Sequence, residues 1–155
     1  NELRYLSQED PKDIHVKSLF DLKQDILSKI IGFERAKRTK TILRYLIHFF
    51  TKNGFFVENE VEIGNYIGPK GRQRKGFIDL RVSHKNINHV IDIEVDSSFK
   101  KNSLCKLIKS KKHLCNEVLW VCHREYFDVD YVENDELVRL ISDNKIPVLA
   151  IFSKH

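Results

Sequence analysis

The chain has 155 residues, 41% of them hydrophobic and ten of them phenylalanine, which is enough apolar material for one folded domain and excludes a disordered chain. Lysine and arginine number 27 against 22 aspartate and glutamate, a net charge of +5, which admits an anionic partner such as nucleic acid without requiring one. No apolar run approaches the roughly 20 residues of a membrane span, no signal peptide is visible, and three cysteines without a Cys-x-x-Cys pair fit a reducing cytoplasm better than a disulfide scaffold.

Residues 1–17 are polar and broken by Pro11 and read as a loosely docked arm. From Ser18 the stretch "SLFDLKQDILSKIIG" spaces Leu19, Leu22, Ile26 and Ile30 as one helical face, with Ser18 as cap and Gly32 as stop. A second helix is predicted over 33–53, with Phe33, Ala36, Leu43, Leu46, Ile47 and Phe50 inward, ended by Gly54. The arm and first helix (1–32) precede the main α/β domain (33–155), the whole forming one globular unit. The period then changes to two. "FFVENEVEIG" is a strand, "GPKGRQRKG" a loop, "FIDLRVS" a second strand, "HKNIN" a turn and "HVIDIEVD" a third strand, so 55–96 reads as an antiparallel meander. A helix over 100–114 follows, then a fully apolar strand "EVLWVCH" expected at the centre of the sheet, a helix "NDELVRLISD" and a last strand "IPVLAIF". There are no repeats or low-complexity segments. The order is α, α, β, β, β, α, β, α, β, a mixed α/β sheet flanked by helices.

The strand "VIDIEVD" alternates Asp92, Glu94 and Asp96 with apolar residues. A carboxylate in a sheet strand is costly unless balanced, and Asp79 in "GFIDLRV" is a further one. Counting back from the turn at 84–88 brings Asp79 close to Glu94 on the neighbouring strand. Two acids from adjacent strands beside lysines suit Mg²⁺ or Mn²⁺, which takes oxygen ligands and substrate phosphate, and the chemistry that benefits is phosphodiester cleavage. The bland alternative is a solvated pair on a half-exposed sheet. Asp92 fits a structural role, and Asp96 fits either a ligand or a cap for the basic helix.

Taken together, a helix, a strand, "GFID" on a second strand, "DIEVD" on a third, then a basic helix and a further strand resemble the PD-(D/E)xK, restriction-endonuclease-like nuclease superfamily. The resemblance covers 33–122, the α-β-β-β-α-β core, and implies a Mg²⁺-dependent DNA endonuclease. It maps the two acids to Asp79 and Glu94, a further ligand to the backbone of Val95, and an accessory acid on the first core helix to Glu34. The family lysine is replaced by Asp96, so the resemblance leaves the amine to the following helix, where Lys101 is the first choice, Lys100 the second, and Lys106, a turn or more further along, the third. The alternative is a DNA-binding module of this fold that has lost catalysis. A protein-interaction domain, with its lysines scattered over several faces, is a third class. A homodimer or larger nuclease assembly is compatible with either nucleic-acid reading.

The remaining cations are expected on DNA phosphates: Lys70, Arg72, Arg74 and Lys75 in the Gly-flanked loop, and Lys106 and Lys109 in the basic helix, which carries no acid. His113, Cys115, Cys122 and His123 lack zinc-finger spacing, and Cys105 has no histidine at helical spacing.

Overall fold

A computed structural model describes residues 19–84, 86, 88–125 and 135–153; the expected N-terminal arm, the Ser18 cap and the Asp- and Tyr-rich loop lie outside them. Helix α1 (Leu19–Ile30) buries the four residues its spacing singles out, Leu19, Leu22, Ile26 and Ile30. It ends before Gly32, whose φ of +83° is a left-handed turn that favours glycine. Helix α2 (Arg35–Lys52) starts later than expected, and its buried stripe is Arg38, Ile42, Leu46, Phe49 and Phe50. Phe33 and Ala36 are exposed, and Leu43 and Ile47 are half-buried at the margin. The stripe includes an arginine because Arg38 finds internal partners: it donates from Nε to the Phe33 carbonyl at 3.0 Å and from Nη2 to Glu125 at 2.5 Å.

Three strands, β1 (Phe55–Ile67), β2 (Gln73–His84) and β3 (His89–Asp96), form the expected antiparallel meander. Helix α3 (Lys101–His113) then crosses over to β4 (Glu117–Cys122), which runs parallel to β3, and helix α4 (Asp135–Asp143) leads to β5 (Val148–Ala150), parallel to β4. The five strands lie in the order β1-β2-β3-β4-β5. The fold is therefore a mixed α/β sheet with four helices among the described residues, and β3 rather than β4 is the central strand. The "GPKGRQRKG" stretch is only partly a loop. Gly68 N–H and the Arg72 carbonyl close the turn at 2.8 Å, and Arg74 and Lys75 already pair with Tyr66 and Asn65 in the β1–β2 ladder. Strand propensity lost to register here: the hairpin continues because its partner strand β1 extends to Ile67.

Each face of the sheet carries its own core. Helices α1 and α2 pack on Leu80, Val82, Ile91, Ile93, Val95, Leu119 and Val121. Helices α3 and α4 cover Ile63, Tyr66, Ile78, Val118 and Trp120 on the other face. Ile78 and Leu80 have the same strand parity, yet they join opposite cores. Between them, at Asp79, the sheet changes course. Glu60, which lies between the β1 partners of Leu80 and Ile78, has φ 49°, a left-handed conformation that costs a non-glycine residue and marks a local kink. On its other edge, β2 separates from β3: their ladder ends at Leu80–Ile93, while β3 stays with β4 as far as Asp96–Cys122 and β2 stays with β1 out to Gln73. The sheet thus forks at Asp79 and Glu94, and the far arm of the β1–β2 hairpin curls against α3. Among the described residues no helix is long and apolar enough to cross a membrane.

The hairpin arm closes tightly where Gly76 faces Tyr66. A Cβ at Gly76 would sit 2.7 Å and 2.9 Å from Tyr66 ring carbons. Gly76→Ala is expected to destabilise the fold by about 1–3 kcal/mol through overpacking, read as a lower urea midpoint with unchanged m-value.

Candidate active site

The fork leaves Asp79 without a ladder partner on β3, and its side chain takes over that task. Asp79 Oδ2 accepts the Val95 N–H at 2.8 Å. Glu94 is the next residue along β3, only 2% exposed, and its side chain points toward the α3 side of the sheet, where Asp79 also reaches it. Helix α3 supplies the amine. Buried Leu104 and Leu107 fix the helix on the sheet, and the stripe formed by Asn102, Lys106 and Lys109, at helical spacing, lies against the hairpin arm. Lys106 Nζ stands 2.6 Å from Glu94 Oε1 and donates to the Phe77 carbonyl at 3.0 Å. Lys109 donates to the Asn65 carbonyl.

Two carboxyls and one ammonium do not balance. Burial, then the hydrogen bond and charge of Asp79, push Glu94 up to about 9, and Lys106 offsets only part of this. Burial works against the charge of Lys106, but the hydrogen bond and charge of Glu94, aided by Asp79, outweigh it and hold the lysine above its ordinary value. Burial and the neighbouring Asp79 thus favour the protonated form of Glu94, at a point where a further cation would fit. This donor set, two carboxyl groups of which one is half-exposed and reachable, fits a hard divalent cation that also takes water and phosphate ligands.

The other acids of β3 are already committed. Asp92, fully buried, is held by Arg81 through Nε at 2.7 Å and Nη2 at 3.0 Å. Asp96 accepts from the Trp120 indole N–H at 2.8 Å and lies 3.8 Å from Lys100 Nζ. Among the described residues no group of three or more histidine, cysteine, aspartate and glutamate side chains is gathered for a metal, so Asp96 is not brought to Asp79 and Glu94 as a third ligand. Val95 meets the acid pair through its N–H.

The expected amines also move. Lys101 Nζ lies 3.6 Å from Glu136, and Lys100 turns to Asp96, so neither reaches Glu94. The helix start directs their stems toward α4 and the end of β3, whereas position 106, one turn further on, overhangs the fork. Lys106 and Lys109, expected on DNA phosphates, instead have their amines drawn inward to the hairpin. Glu34, the expected accessory acid, lines a separate pocket of about 290 Å³ with Phe33, Arg35, Arg38, Arg124 and Glu125 at the start of α2. The hairpin cations remain outward. Lys70, Arg72 and Arg74 line a concave pocket of about 350 Å³ with Gly68, Pro69, Gln73 and Asn102, and no carboxylate lines it. Lys75 pairs with Glu62 at 3.2 Å, with both side chains more than half exposed.

His123 is fully buried and bonded through Nε2 to Thr39 Oγ1 at 2.7 Å. Cys115 donates to the Glu117 carbonyl at 3.2 Å, and Cys122 sits in the core, where burial raises its thiol well above the ordinary range. Two pairings were missed at the level of sequence, Arg81–Asp92 and Trp120–Asp96. The first had a signal, since opposite charges on facing positions of a hairpin attract; the second depends on the parallel register of β3 and β4. No family model, curated protein or solved structure matches the chain.

The raised value at Glu94 sets a pH dependence whose sign is fixed. In the unfolded chain Glu94 ionises near 4.5, but in the fold it holds its proton to about 9. Between those values the folded state binds more protons, so this group makes metal-free stability fall as pH rises. Glu94→Gln is expected to raise the thermal midpoint at pH 8 by several degrees in EDTA and to flatten its decline between pH 5 and 9, measured by calorimetry across that range. A wild-type midpoint that is flat over the window contradicts the raised value at Glu94.

Proposed function

We propose that the chain is a metal-dependent deoxyribonuclease on a PD-(D/E)xK, restriction-endonuclease-like core, in which Lys106 of α3 takes the place of the motif lysine. The observation that carries this reading is the fork in the sheet: Asp79 and Glu94 meet where β2 and β3 part, and the Lys106 amine reaches Glu94 at 2.6 Å. Asp79 and Glu94 would hold Mg²⁺ or Mn²⁺. When bound, the ion would supply Lewis acidity at a phosphate and a bound water more acidic than bulk water.

The protein's own groups divide the remaining work. Asp79, anchored on the Val95 amide, presents its carboxylate at the mouth of the fork. A cation held by Glu94 would compete with the proton that burial favours there, so its binding would be coupled to proton release. Lys106, kept charged by its two acidic neighbours, suits stabilisation of negative charge developing on a phosphate oxygen rather than abstraction of a proton. The Phe77 carbonyl holds its stem over the site. Lys70, Arg72 and Arg74 at the hairpin tip provide phosphate contacts. The three free cysteines favour an intracellular setting for this activity.

One observation favours the second reading, a binding module without catalysis. The Lys106–Glu94 contact can serve as a structural ion pair that fills the cation position itself.

Oligonucleotide cleavage with Mg²⁺ or Mn²⁺ against an EDTA control separates the two. Asp79→Ala and Glu94→Ala are expected to abolish cleavage with the fold retained by circular dichroism. Lys106→Ala should lower the rate by about two to four decades, while Lys101→Ala stays within about threefold of wild type. Salt-sensitive DNA binding without cleavage under either metal supports the binding module instead.

A further inference from the structure

At the tip of the β1–β2 hairpin the chain folds back on itself. The Gly68 N–H donates to the Arg72 carbonyl at 2.8 Å, and the Gly71 N–H to the Gly68 carbonyl at 3.0 Å. Between this turn and the start of α3 lies the pocket of about 350 Å³ that carries Lys70, Arg72 and Arg74 and no carboxylate. Strand parity fixes its place on the fold. Arg74, Gly76 and Ile78 alternate on the side of β2 that α3 covers. Ile78 joins Leu104 and Leu107 in the second core, Gly76 faces the buried Tyr66 ring, and Arg74 shares the pocket with Asn102. The pocket therefore lies on the same side of the sheet as the Glu94–Lys106 contact and beside the same helix. Along α3, Asn102 precedes Lys106 by one turn, about 6 Å. Along β2, Arg74 lies roughly 17 Å from Asp79.

Two features make this a site for one group rather than a stretch of charged surface. Its floor is a glycine: Gly68 is buried, and a Cβ there would stand 3.3 Å from Arg74 Cδ and 3.7 Å from Asn102 Oδ1. The missing side chain leaves room between those two residues. Asn102 Oδ1, in turn, is buried and has no hydrogen-bond partner among the described residues. An orphaned acceptor is costly; a ligand hydroxyl would relieve it, and the amide turned over would offer a donor to a phosphate oxygen.

Resting on the nuclease reading above, we propose that this pocket seats a terminal phosphate of the nucleic acid, so that the protein engages its substrate by a strand end. An internal phosphodiester carries one negative charge, and its chain must continue on both sides. A terminal phosphomonoester carries about −1.5 to −2 at neutral pH and presents three free oxygens. That charge suits three cations with no acid among them, in a pocket bounded by a turn on one side and a helix on the other. Guanidinium groups meet phosphate oxygens in short, charge-assisted pairs, and Arg72 and Arg74 supply two of them. A strand seated by its end there lays its first phosphodiesters toward the acid pair. The chemistry recognised is the phosphomonoester, which either the 5′ or the 3′ end can carry.

The test is fluorescence anisotropy in EDTA, with one internally labelled single-stranded oligonucleotide in three forms: hydroxyl at both ends, 5′-phosphate, or 3′-phosphate. One phosphorylated form is expected to bind about tenfold or more tightly than the hydroxyl form, and its identity names the end. Gly68 lies outside the left-handed region, so alanine is sterically allowed there. Gly68→Ala fills the floor without removing a charge; it should cut the preference to within about threefold and leave the hydroxyl form within about twofold of wild type. An Arg72→Ala, Arg74→Ala double variant should abolish the preference and also weaken the hydroxyl form. Unchanged thermal midpoints verify the fold of both variants. Equal wild-type affinity for all three forms overturns the proposal, as does a preference that survives undiminished in both variants. In either case, weaker binding by the double variant shows that the nucleic-acid reading itself survives. Absence of binding to every form overturns both.

Discussion

Everything at the site follows from three carboxylates that β3 turns inward. Asp92, Glu94 and Asp96 lie on the face that α3 covers, all at or below 7% exposure. An unpaired buried carboxylate is not tolerated, and removing one partner of a buried pair costs about 3–5 kcal/mol. The fold answers each acid differently. Asp92 receives a two-pronged guanidinium from the neighbouring strand β2, Asp96 an indole N–H from β4, and Glu94 an ammonium from α3. Only at Glu94 does a second acid, Asp79, share the cation. Charge is therefore unbalanced at one point on the strand, and that point coincides with the place where the sheet opens.

The opening has a backbone cause. Glu60 in a left-handed conformation and the end of the β2–β3 ladder bracket Asp79 from both sides. The hairpin arm beyond this kink is thereby free to twist toward α3, and Ile78 passes into the second core. The same twist brings the Phe77 and Asn65 carbonyls to the helix, where Lys106 and Lys109 bind them. One distortion in β1 and β2 thus opens the sheet at the acid pair, delivers the amine and aims the cationic hairpin tip outward. A regular sheet would have placed Asp79 in a ladder and left Lys106 no carbonyl to hold.

Under the nuclease proposal, the loss of lysine at position 96 becomes intelligible. Asp96 has been recruited to bind Trp120, the largest fully buried side chain, beside Phe99 at a centroid distance of 4.9 Å. A lysine there would leave the buried indole N–H without an acceptor. The amine is supplied from a rigid helix, which positions it as firmly as a strand would. Position 96 then serves packing, and position 106 serves the site.

Much of this was legible in the residues. Helical spacing located α1 and α3, period-two alternation located the meander, and counting back from the 84–88 turn brought Asp79 to Glu94, because a hairpin's register is fixed by its turn. The stripe of α2 was misplaced, since the burial of Arg38 depends on Phe33 and on Glu125, which is distant in sequence. The amine was misplaced for the same kind of reason. Lys100, Lys101, Lys106 and Lys109 look alike along a basic helix, and nearness in sequence to β3 favours the first two. Which of them reaches Glu94 is set by the rotation of α3, fixed by Leu104 and Leu107 in the second core, and by the curl of the hairpin arm beneath it. Local pattern determined which carboxylates would meet, because adjacent strands communicate through a short turn. Only the tertiary structure decided which cation answers them, because that choice depends on helix-to-sheet packing between residues that no local period relates.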